Sequence, residues 1–285
     1  MGVQIEEKHG FLHCKAPKGI LGDYIALSFP SVGATENILL AAATARGTTV
    51  IQNAAREPEI ADLAVYLNRC GAKIYGAGES SIVIDGVNAL EGTEHTVMPD
   101  RIAAATYMAA AAVTGGELLL QNVPDASLCS MQSVFEETGC RLIREADSLY
   151  LSAPRRLNAV GHIRTMPYPG FPTDAQAPIM AMAVLGSGTS VFVENIFESR
   201  YKHAGELIRL GARISIEGKV AVVQGVSQLF GASVEARELR GGASLVVAGL
   251  AAQGRTSVSG VEYIDRGYED IVGNLKLLGA RIERD

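Results

Sequence analysis

Four stretches of the sequence repeat one another, and this repetition constrains the fold more than any other feature. The stretches are "LNRCGAKI", "EETGCRLI", "LIRLGARI" and "LKLLGARI", and their glycines lie 68, 72 and 68 residues apart. A further glycine precedes each stretch, between an apolar helix-like segment and a segment rich in β-forming residues. Such a period indicates repeated supersecondary units. The four aligned glycines are Gly71, Gly139, Gly211 and Gly279.

Each repeat reads as a strand, an alanine-rich helix, a strand, an amphipathic helix and a hairpin. In the first complete copy, "TENILLAAATARG" predicts a helix that ends at Gly47, and "TTVIQNA" predicts a strand. The segment "EPEIADLAVYLNRCG" has acidic residues at its start and Gly71 at its end, which favours a second helix. The segment "AKIYGAGESSIVIDG" predicts two strands around a glycine-serine turn.

The alanine-rich helices of the later repeats are apolar on nearly every side. Their segments are "RIAAATYMAAAAVTGG", "APIMAMAVLGSG" and "GGASLVVAGLAAQG". Helices without a polar face belong in an interior. We therefore expect buried helices enclosed by sheet, with the amphipathic helices nearer the surface. The alternative is a single layer of helices on an ordinary open sheet.

The register of the repeats is unusual at both ends of the chain. Residues 2–16 align with the closing hairpin of a repeat, so the chain begins inside one. After Gly279 the chain continues only through the first strand of another hairpin, to Asp285. We expect from this register a truncated chain rather than a natural remnant.

Composition and charge exclude several classes of function. The 285 residues are 48% hydrophobic and 20% charged, which suits one large domain or two ordinary ones. A net charge of −6 argues against a nucleic acid or an anionic membrane as partner.

The four cysteines lack C-x-x-C spacing and the five histidines form no metal-ligand pair, so we expect reduced thiols and no metal in a cytoplasmic protein. The longest uncharged segment, residues 102–116, is shorter than the roughly 18 apolar residues that span a bilayer.

Arginines stand in the turn before the amphipathic helix in three repeats, and "NVPDASL" takes this place in the other. These arginines are Arg56, Arg200 and Arg266. Arginine at a helix start opposes the helix dipole, but the same place suits an anionic ligand. The alternative is an ion pair at the surface, which stabilises little. For Arg56, flanked by Glu57 and Glu59, we favour the ion pair.

Asp174 and Arg240 occupy equivalent places, each at the start of a buried helix. Asp174 lies in "MPYPGFPTDAQAP" among four prolines, and it is either a helix cap or a catalytic base. Arg240 lies in "ELRGGASLVVAGL" and needs a partner, which is Glu238 or a ligand anion. The matching junction of the first repeat is "SVGATEN", where Ser31 and Gly33 offer hydroxyl and backbone donors.

Five motifs together closely resemble the UDP-N-acetylglucosamine 1-carboxyvinyltransferases of the enolpyruvyl transferase family. They are "SVGATENILLAA", "NAAREPEIADLA", "FPTDAQAP", "ELRGGASLVVAGL" and "YIDRGYEDIVGNLKLLGARIE", and they span essentially all of the chain. The resemblance implies an α/β (α+β) fold of two lobes, each built from βαβαββ units with inner helices and outer sheets, here N-terminally truncated. Residues 1–98 would form a partial first lobe and residues 99–285 a nearly complete second lobe, with the active site in the cleft between lobes.

The resemblance also implies a function. Enzymes of this kind transfer the enolpyruvyl group of phosphoenolpyruvate to the 3-hydroxyl of UDP-N-acetylglucosamine and release phosphate, the first committed step of peptidoglycan synthesis. The two small-molecule substrates are the implied partners, and no metal or organic cofactor is implied. Asp174 matches the aspartate that contacts the sugar hydroxyl as a candidate base. The residues matched to substrate contacts are Ser31, Val32 and Gly33 for the uridine diphosphate, Ile196 for the nucleotide sugar, and Arg200, Arg240 and Arg266 for phosphoenolpyruvate.

Two departures from the family pattern keep other functions open. Glu238 stands where the family usually has aspartate. The family's N-terminal portion, with a Lys-Asn pair and a loop that carries a Cys or Asp proton donor, has no match in this sequence. None of the four cysteines lies in the glycine-rich context of that loop. The alternatives are therefore a catalytically silent protein that binds nucleotide sugars, and one half of an enzyme that a separate polypeptide completes.

Overall fold

The chain divides into two compact units. In the computed structural model, unit 1 comprises Met1–Met98 and Pro167–Pro169, and unit 2 comprises Pro99–Met166 and Gly170–Asp285. The structure describes residues 1–123, 125–145 and 147–284, with the backbone alone at 125 and 126. Pro124 of the "NVPDASL" turn and the final residue, Asp285, lie outside the described residues.

Unit 1 contains a free-standing hairpin and one complete βαβαββ repeat. The sheet of the repeat has the strand order β3-β4-β6-β5, in which β3 and β4 are parallel and the other pairs antiparallel. The hairpin pairs β1 with β2. The elements in chain order are β1 (Gln4–Lys8), β2 (Phe11–Lys15), β3 (Tyr24–Ala26), α1 (Val32–Ala42), β4 (Thr48–Gln52), α2 (Pro58–Arg69), β5 (Lys73–Tyr75) and β6 (Ser81–Asp85).

Unit 2 continues the same pattern. The sheet β10-β11-β13-β12 repeats the order of unit 1, and β7-β9-β8 repeats its last three strands. The elements are α3 (Arg101–Val113), β7 (Glu117–Gln121), α4 (Asp125–Glu137), β8 (Arg141–Glu145), β9 (Ser148–Ser152), β10 (His162–Arg164), α5 (Thr173–Ala183), β11 (Thr189–Val193), α6 (Ala204–Arg209), β12 (Arg213–Glu217), β13 (Val220–Gln224), β14 (Leu229–Phe230), β15 (Ser233–Glu235), α7 (Leu239–Ala251), β16 (Ala252–Gln253), β17 (Ser257–Ser259), α8 (Val261–Asp265) and α9 (Ile271–Leu277).

The core of unit 2 is a set of three buried helices, as expected from the sequence. Helices α3, α5 and α7 pack against one another, and the sheets lie outside them. Every residue of α5 from Ala175 to Ala183 is buried. Alanine and glycine make this close packing of helices feasible because they leave little side-chain volume between the backbones. The fold is mixed α/β with inner helices, and the alternative of one helix layer on an open sheet is wrong for this unit.

Helix α1 of unit 1 is less buried than its counterparts and ends earlier than the sequence predicts. Only Thr35, Leu39 and Ala42 are buried along it, because in the described part of unit 1 it packs mainly on α2 and one sheet. It also ends at Ala42 rather than at Gly47. The chain turns after Ala42, and Arg46 forms a bridge with Leu21, so the pairing of this segment ends the helix before the glycine is reached.

The expected strand after Gly279 is not formed. Residues 280–284 have no strand assignment, and no described strand forms a ladder with them. An extended segment becomes a β-strand only when its backbone groups hydrogen-bond to a neighbour. The hairpin at the other end of the chain, over residues 2–16, is formed as predicted.

In two of the repeats, a glycine at the end of the closing hairpin fixes how the repeat closes on its first helix. An added Cβ at Gly86 would lie 1.7 Å from the carbonyl oxygen of Ala45, and one at Gly225 would lie 1.5 Å from that of Gly186. The backbone N–H groups of Gly86 and Gly225 also donate hydrogen bonds to the carbonyl oxygens of Gly47 and Gly188. These two residues lie in the turns that precede β4 and β11. The backbones therefore meet at a distance that only glycine permits.

We predict that Gly225→Ala lowers the free energy of unfolding by at least about 2 kcal/mol, because the new methyl group must push two backbone segments apart. The measurement is urea unfolding of the chain. Gly205→Ala is the matched control, since an added Cβ meets no atom within 4 Å there and the site lies in helix α6. It should be neutral or stabilise by up to about 1 kcal/mol. Equal stability of both variants would contradict a rigid close approach.

Candidate anion-binding site around Asp174

Asp174 is not a helix cap. The residue at the cap position of α5 is Pro172, and no side chain caps this helix. The Asp174 carboxylate instead accepts a hydrogen bond from Arg200 Nη2 at 2.5 Å through Oδ1. Its Oδ2 lies 3.5 Å from Arg240 Nε. The carboxylate is 43% exposed, so a small molecule can reach it.

An aromatic ring packs against the guanidinium group of Arg200 and another against that of Arg240. The Arg200 guanidinium lies 5.2 Å from the centre of the Phe197 ring, and the Arg240 guanidinium lies 5.3 Å from that of Tyr268. Such cation–π contacts orient a guanidinium while leaving its edge free for hydrogen bonds. Tyr268 is itself fixed by a 2.7 Å hydrogen bond between its hydroxyl and that of Thr106.

Glu238 does not pair with Arg240, contrary to one of the two expectations. It caps α7 by accepting a hydrogen bond from the Gly241 backbone N–H at 2.8 Å. Its other oxygen lies 3.7 Å from Arg200 Nη1. The partner of Arg240 is Asp174, because α5 and α7 pack side by side and both residues stand second in their helices.

The site retains donors for an anion. Arg200 Nε and Arg240 Nη1 are buried, and neither has a hydrogen-bond partner among the described residues. Burial opposes the charge of Arg240, but nearby Tyr268 and Asp174 outweigh it and raise its pKa. Each guanidinium group thus has an unused N–H group, which suits a phosphate or carboxylate.

His203 is a buried neighbour of this cluster that the sequence did not single out. Its side chain is almost fully buried, and Nδ1 lies 3.9 Å from a carboxylate oxygen of Glu238. Burial lowers the pKa of His203 to about 4, and the positive charge of Arg200 adds to the effect. The imidazole is therefore neutral at pH 7. The sequence feature that could have indicated His203 is its position three residues after Arg200, at the start of helix α6.

We predict that stability falls as the pH is lowered from about 6.5 toward 4. In this window the unfolded histidine takes up a proton, while His203 in the folded state, with its lowered pKa, does not. The linked loss in the free energy of unfolding between pH 7 and pH 5 is about 2 kcal/mol. Urea unfolding at the two pH values measures it.

The variant His203→Gln isolates this contribution, because glutamine does not titrate. Its loss of stability between pH 7 and pH 5 should be smaller than that of the wild type by the same amount. An unchanged pH dependence in this variant would show that the buried histidine is not the group responsible.

The structure gives less direct support for the matched roles of Arg266 and Ile196. Arg266 is exposed at the C-terminal end of α8, and within the described residues no hydrogen bond or ion pair joins it to Asp174, Arg200 or Arg240. The backbone N–H of Ile196 donates to a carboxylate oxygen of Glu194 at 2.8 Å. The roles matched to these two residues stay predictions.

Ser31, Val32 and Gly33 form the start of helix α1 in unit 1. Ser31 is the N-cap, and its hydroxyl accepts a hydrogen bond from the Ala34 backbone N–H at 3.3 Å. Val32 and Gly33 are the first two helical residues, and no atom lies within 4 Å of the place where a Cβ of Gly33 would stand. Backbone N–H groups in the first turn of a helix attract anions.

Arg56 is bound to the main chain of its own unit. It donates a 3.1 Å hydrogen bond to the carbonyl oxygen of Tyr168, and the neighbouring Glu57 accepts one from the Tyr168 backbone N–H. Arg56 is therefore engaged in holding residues 167–169 on unit 1, a contact that the sequence did not predict.

Two features are absent from the described part of the chain. No cluster of three or more His, Cys, Asp or Glu side chains is arranged to hold a metal ion. None of the described helices combines the length and the apolar character needed to cross a bilayer.

Comparison with known proteins identifies the family. Residues 1–275 match the family model described as EPSP synthase (3-phosphoshikimate 1-carboxyvinyltransferase). The chain is 50% identical to UDP-N-acetylglucosamine 1-carboxyvinyltransferase 2 of Caldanaerobacter subterraneus subsp. tengcongensis over 284 residues, which cover 100% of this chain and 68% of that protein. It is 49% identical over 284 residues to the UDP-N-acetylglucosamine 1-carboxyvinyltransferase of Gluconacetobacter diazotrophicus, and the match covers 67% of that protein. The chain belongs to this family of enolpyruvyl transferases.

Solved structures agree with the assignment. The enolpyruvyl transferase NikO from Streptomyces tendae matches with a TM-score of 0.88 and 26% identity, over 99% of this chain and 69% of that one. EPSP synthase from Acinetobacter baumannii matches with a TM-score of 0.71 and 19% identity, over 97% and 68% of the two chains, which shows the shared fold. The predicted fold class and family are confirmed.

Proposed function

We propose that this chain acts in the transfer of the enolpyruvyl group of phosphoenolpyruvate to the 3-hydroxyl of UDP-N-acetylglucosamine. The observation that carries the proposal is the Asp174 carboxylate, which is accessible, does not cap α5 and is held by two guanidinium groups. A purely structural carboxylate at a helix start would be expected to bond to the helix N–H groups.

The two arginines bind the anionic substrate. Phosphoenolpyruvate carries a phosphate and a carboxylate, and Arg200 and Arg240 together offer unused, buried N–H groups. When an anion binds, it replaces part of the ion pairing that Asp174 gives the two arginines in the absence of a ligand. By its match to the family, Arg266 adds a third positive charge. Fixed positive charges stabilise the phosphate as its bond to carbon breaks.

Asp174 is the base of the reaction. The sugar oxygen forms a bond to C2 of phosphoenolpyruvate, C3 takes up a proton, and the hydroxyl proton passes to the Asp174 carboxylate. The conjugate base of the acid that protonated C3 then takes a proton back from C3, and inorganic phosphate departs with its C–O bond broken, which restores the double bond. No residue of this chain is assigned as the proton donor to C3. A positioned base contributes about 10²–10⁴-fold in rate.

Ser31, Val32 and Gly33 bind the diphosphate of the nucleotide, and Ile196 contacts the nucleotide sugar through its backbone. The support is the open start of helix α1, with Gly33 free of neighbouring atoms, and the match of "SVGATEN" to the family. For Ile196, the support is a carbonyl group whose peptide plane is fixed by the hydrogen bond from the Phe197 N–H to Glu194.

The test is phosphate release from phosphoenolpyruvate in the presence of UDP-N-acetylglucosamine. We predict release by the wild-type chain above background and a loss of about 10²-fold or more in Asp174→Asn, with binding of UDP-N-acetylglucosamine retained in calorimetry. Asp265→Asn is the matched control, because Asp265 has nearly the same exposure, 41%, and also pairs with an arginine, Arg284. It should release phosphate at the wild-type rate.

The outcomes separate the proposed functions. Release that is unaffected by Asp174→Asn would contradict the role of the base. Binding of both substrates with no release would contradict the proposed activity and leave binding of the nucleotide sugar as the function of this chain. The chain spans about two thirds of the length of the relatives that it matches.

A further inference from the structure

Glu194 is a buried carboxylate that lies beside the site without touching Asp174, Arg200 or Arg240 in any described hydrogen bond or ion pair. It directly follows strand β11 and is 1% exposed. Burying a carboxylate costs a great deal of free energy unless it is paired or hydrogen-bonded. The partners of Glu194 therefore show which parts of the fold this charge connects.

Four donors converge on Glu194. Its Oε1 accepts hydrogen bonds from the Thr165 hydroxyl at 2.9 Å and from the backbone N–H groups of Ile196 and Phe197 at 2.8 and 3.0 Å. Its Oε2 accepts one from the Thr173 hydroxyl at 3.0 Å. No described ion pair involves Glu194, so hydroxyl and amide dipoles alone solvate the charge. Hydrogen bonds to an ionised acceptor are about twice as strong as neutral ones.

These donors come from the two loops that carry the candidate catalytic groups. Thr165 and Thr173 are the two ends of the proline-rich loop, and Thr173 immediately precedes Asp174. Ile196 and Phe197 begin the loop that leads to Arg200, and the Phe197 ring supports the Arg200 guanidinium. A single carboxylate thus connects the backbone on both sides of the 2.5 Å bond between Asp174 and Arg200.

The second loop is held by a further link to Thr165. The Asn195 backbone N–H donates to the Thr165 hydroxyl oxygen at 2.9 Å, and the Asn195 side chain donates to the Thr165 carbonyl oxygen at 3.3 Å. Thr165 therefore acts as donor to Glu194 and as acceptor from the next residue. Every member of this network is satisfied, which is the condition under which a buried polar network rigidifies a structure.

We propose that Glu194 is a positioning residue that fixes the relative placement of Asp174 and Arg200. The proposal rests on the proposed function, in which these two groups meet the substrates. Small displacements of catalytic groups cost large factors in rate, so a rigid connection between the two loops is of direct use. A merely structural role would instead make Glu194 a stabiliser of the end of β11, with no influence on Arg200.

The variants are chosen to separate these roles. Glu194→Ala removes all four acceptor bonds. Glu194→Gln keeps the shape of the side chain. Its amide oxygen can accept the three hydrogen bonds that Oε1 accepts in the wild type, and the Thr173 hydroxyl can turn to accept one from the new amide N–H group. Thr173→Val removes a single donor next to Asp174 and retains the carboxylate. Ser190→Ala is the matched control, since Ser190 lies on β11, is 1% exposed and accepts a hydrogen bond from the Val160 backbone N–H at 3.1 Å.

The first readout needs no ligand. In ¹⁵N NMR spectra of the chain, the Arg200 guanidinium should give signals of restricted rotation in the wild type, Glu194→Gln and Ser190→Ala. These signals should be lost in Glu194→Ala and weakened in Thr173→Val. If Glu194→Ala does not fold, Thr173→Val decides. Arg200 signals that stay unchanged in a folded Glu194→Ala, or in Thr173→Val when only that variant folds, would overturn the proposal.

The second readout is the affinity for phosphoenolpyruvate, the substrate assigned to Arg200, measured by calorimetry. We expect binding to weaken at least about tenfold in Glu194→Ala and to change less than about threefold in Glu194→Gln and Ser190→Ala. Equal weakening in Ser190→Ala would show a general effect of instability and overturn the specific role. If the wild type binds neither substrate, the proposed function fails, while the NMR comparison still decides whether Glu194 positions Arg200.

Discussion

The charge cluster of Asp174, Arg200 and Arg240 is the interaction on which the site depends. Opposite charges at these distances, with the two guanidinium groups largely buried, hold one another in place. Removing Asp174 would leave two largely buried guanidinium groups with less compensation for their charge. The cluster therefore presents two positive charges and one accessible carboxylate to a ligand. The helix dipole alone would stabilise only the carboxylate at a helix start.

The repeat architecture explains why these groups meet. Helices α5 and α7 are the first helices of successive repeats, and they pack against each other in the core of unit 2. Asp174 and Arg240 are the second residues of these helices, so equivalent positions in two copies of one motif become neighbours. Repetition of a βαβαββ unit thus brings helix starts together, and different residues at the same position of two copies give the site its mixed charge.

The sequence could predict most of the fold but only part of the site. Periodicity and apolar helices predicted the repeats and the buried core, because both depend on local composition. The pairing of Arg240 with Asp174, 66 residues away, was missed because no local pattern encodes a partner in another repeat. The only sequence signal for Glu194 was an acidic residue at the end of the apolar strand "VFV", and His203 had no more than its spacing from Arg200. The roles of Ser31 and the other matched residues rest on family resemblance.

The most direct measurement is a double-mutant cycle between Asp174 and Arg200. Urea unfolding of the wild type, Asp174→Asn, Arg200→Gln and the double variant gives the coupling free energy of the pair. A short ion pair that orders the site predicts a coupling of at least about 1 kcal/mol, reduced by the partial exposure of the carboxylate. Additive effects, within about 0.5 kcal/mol, would mean that the two groups do not hold each other and would contradict this account of the site.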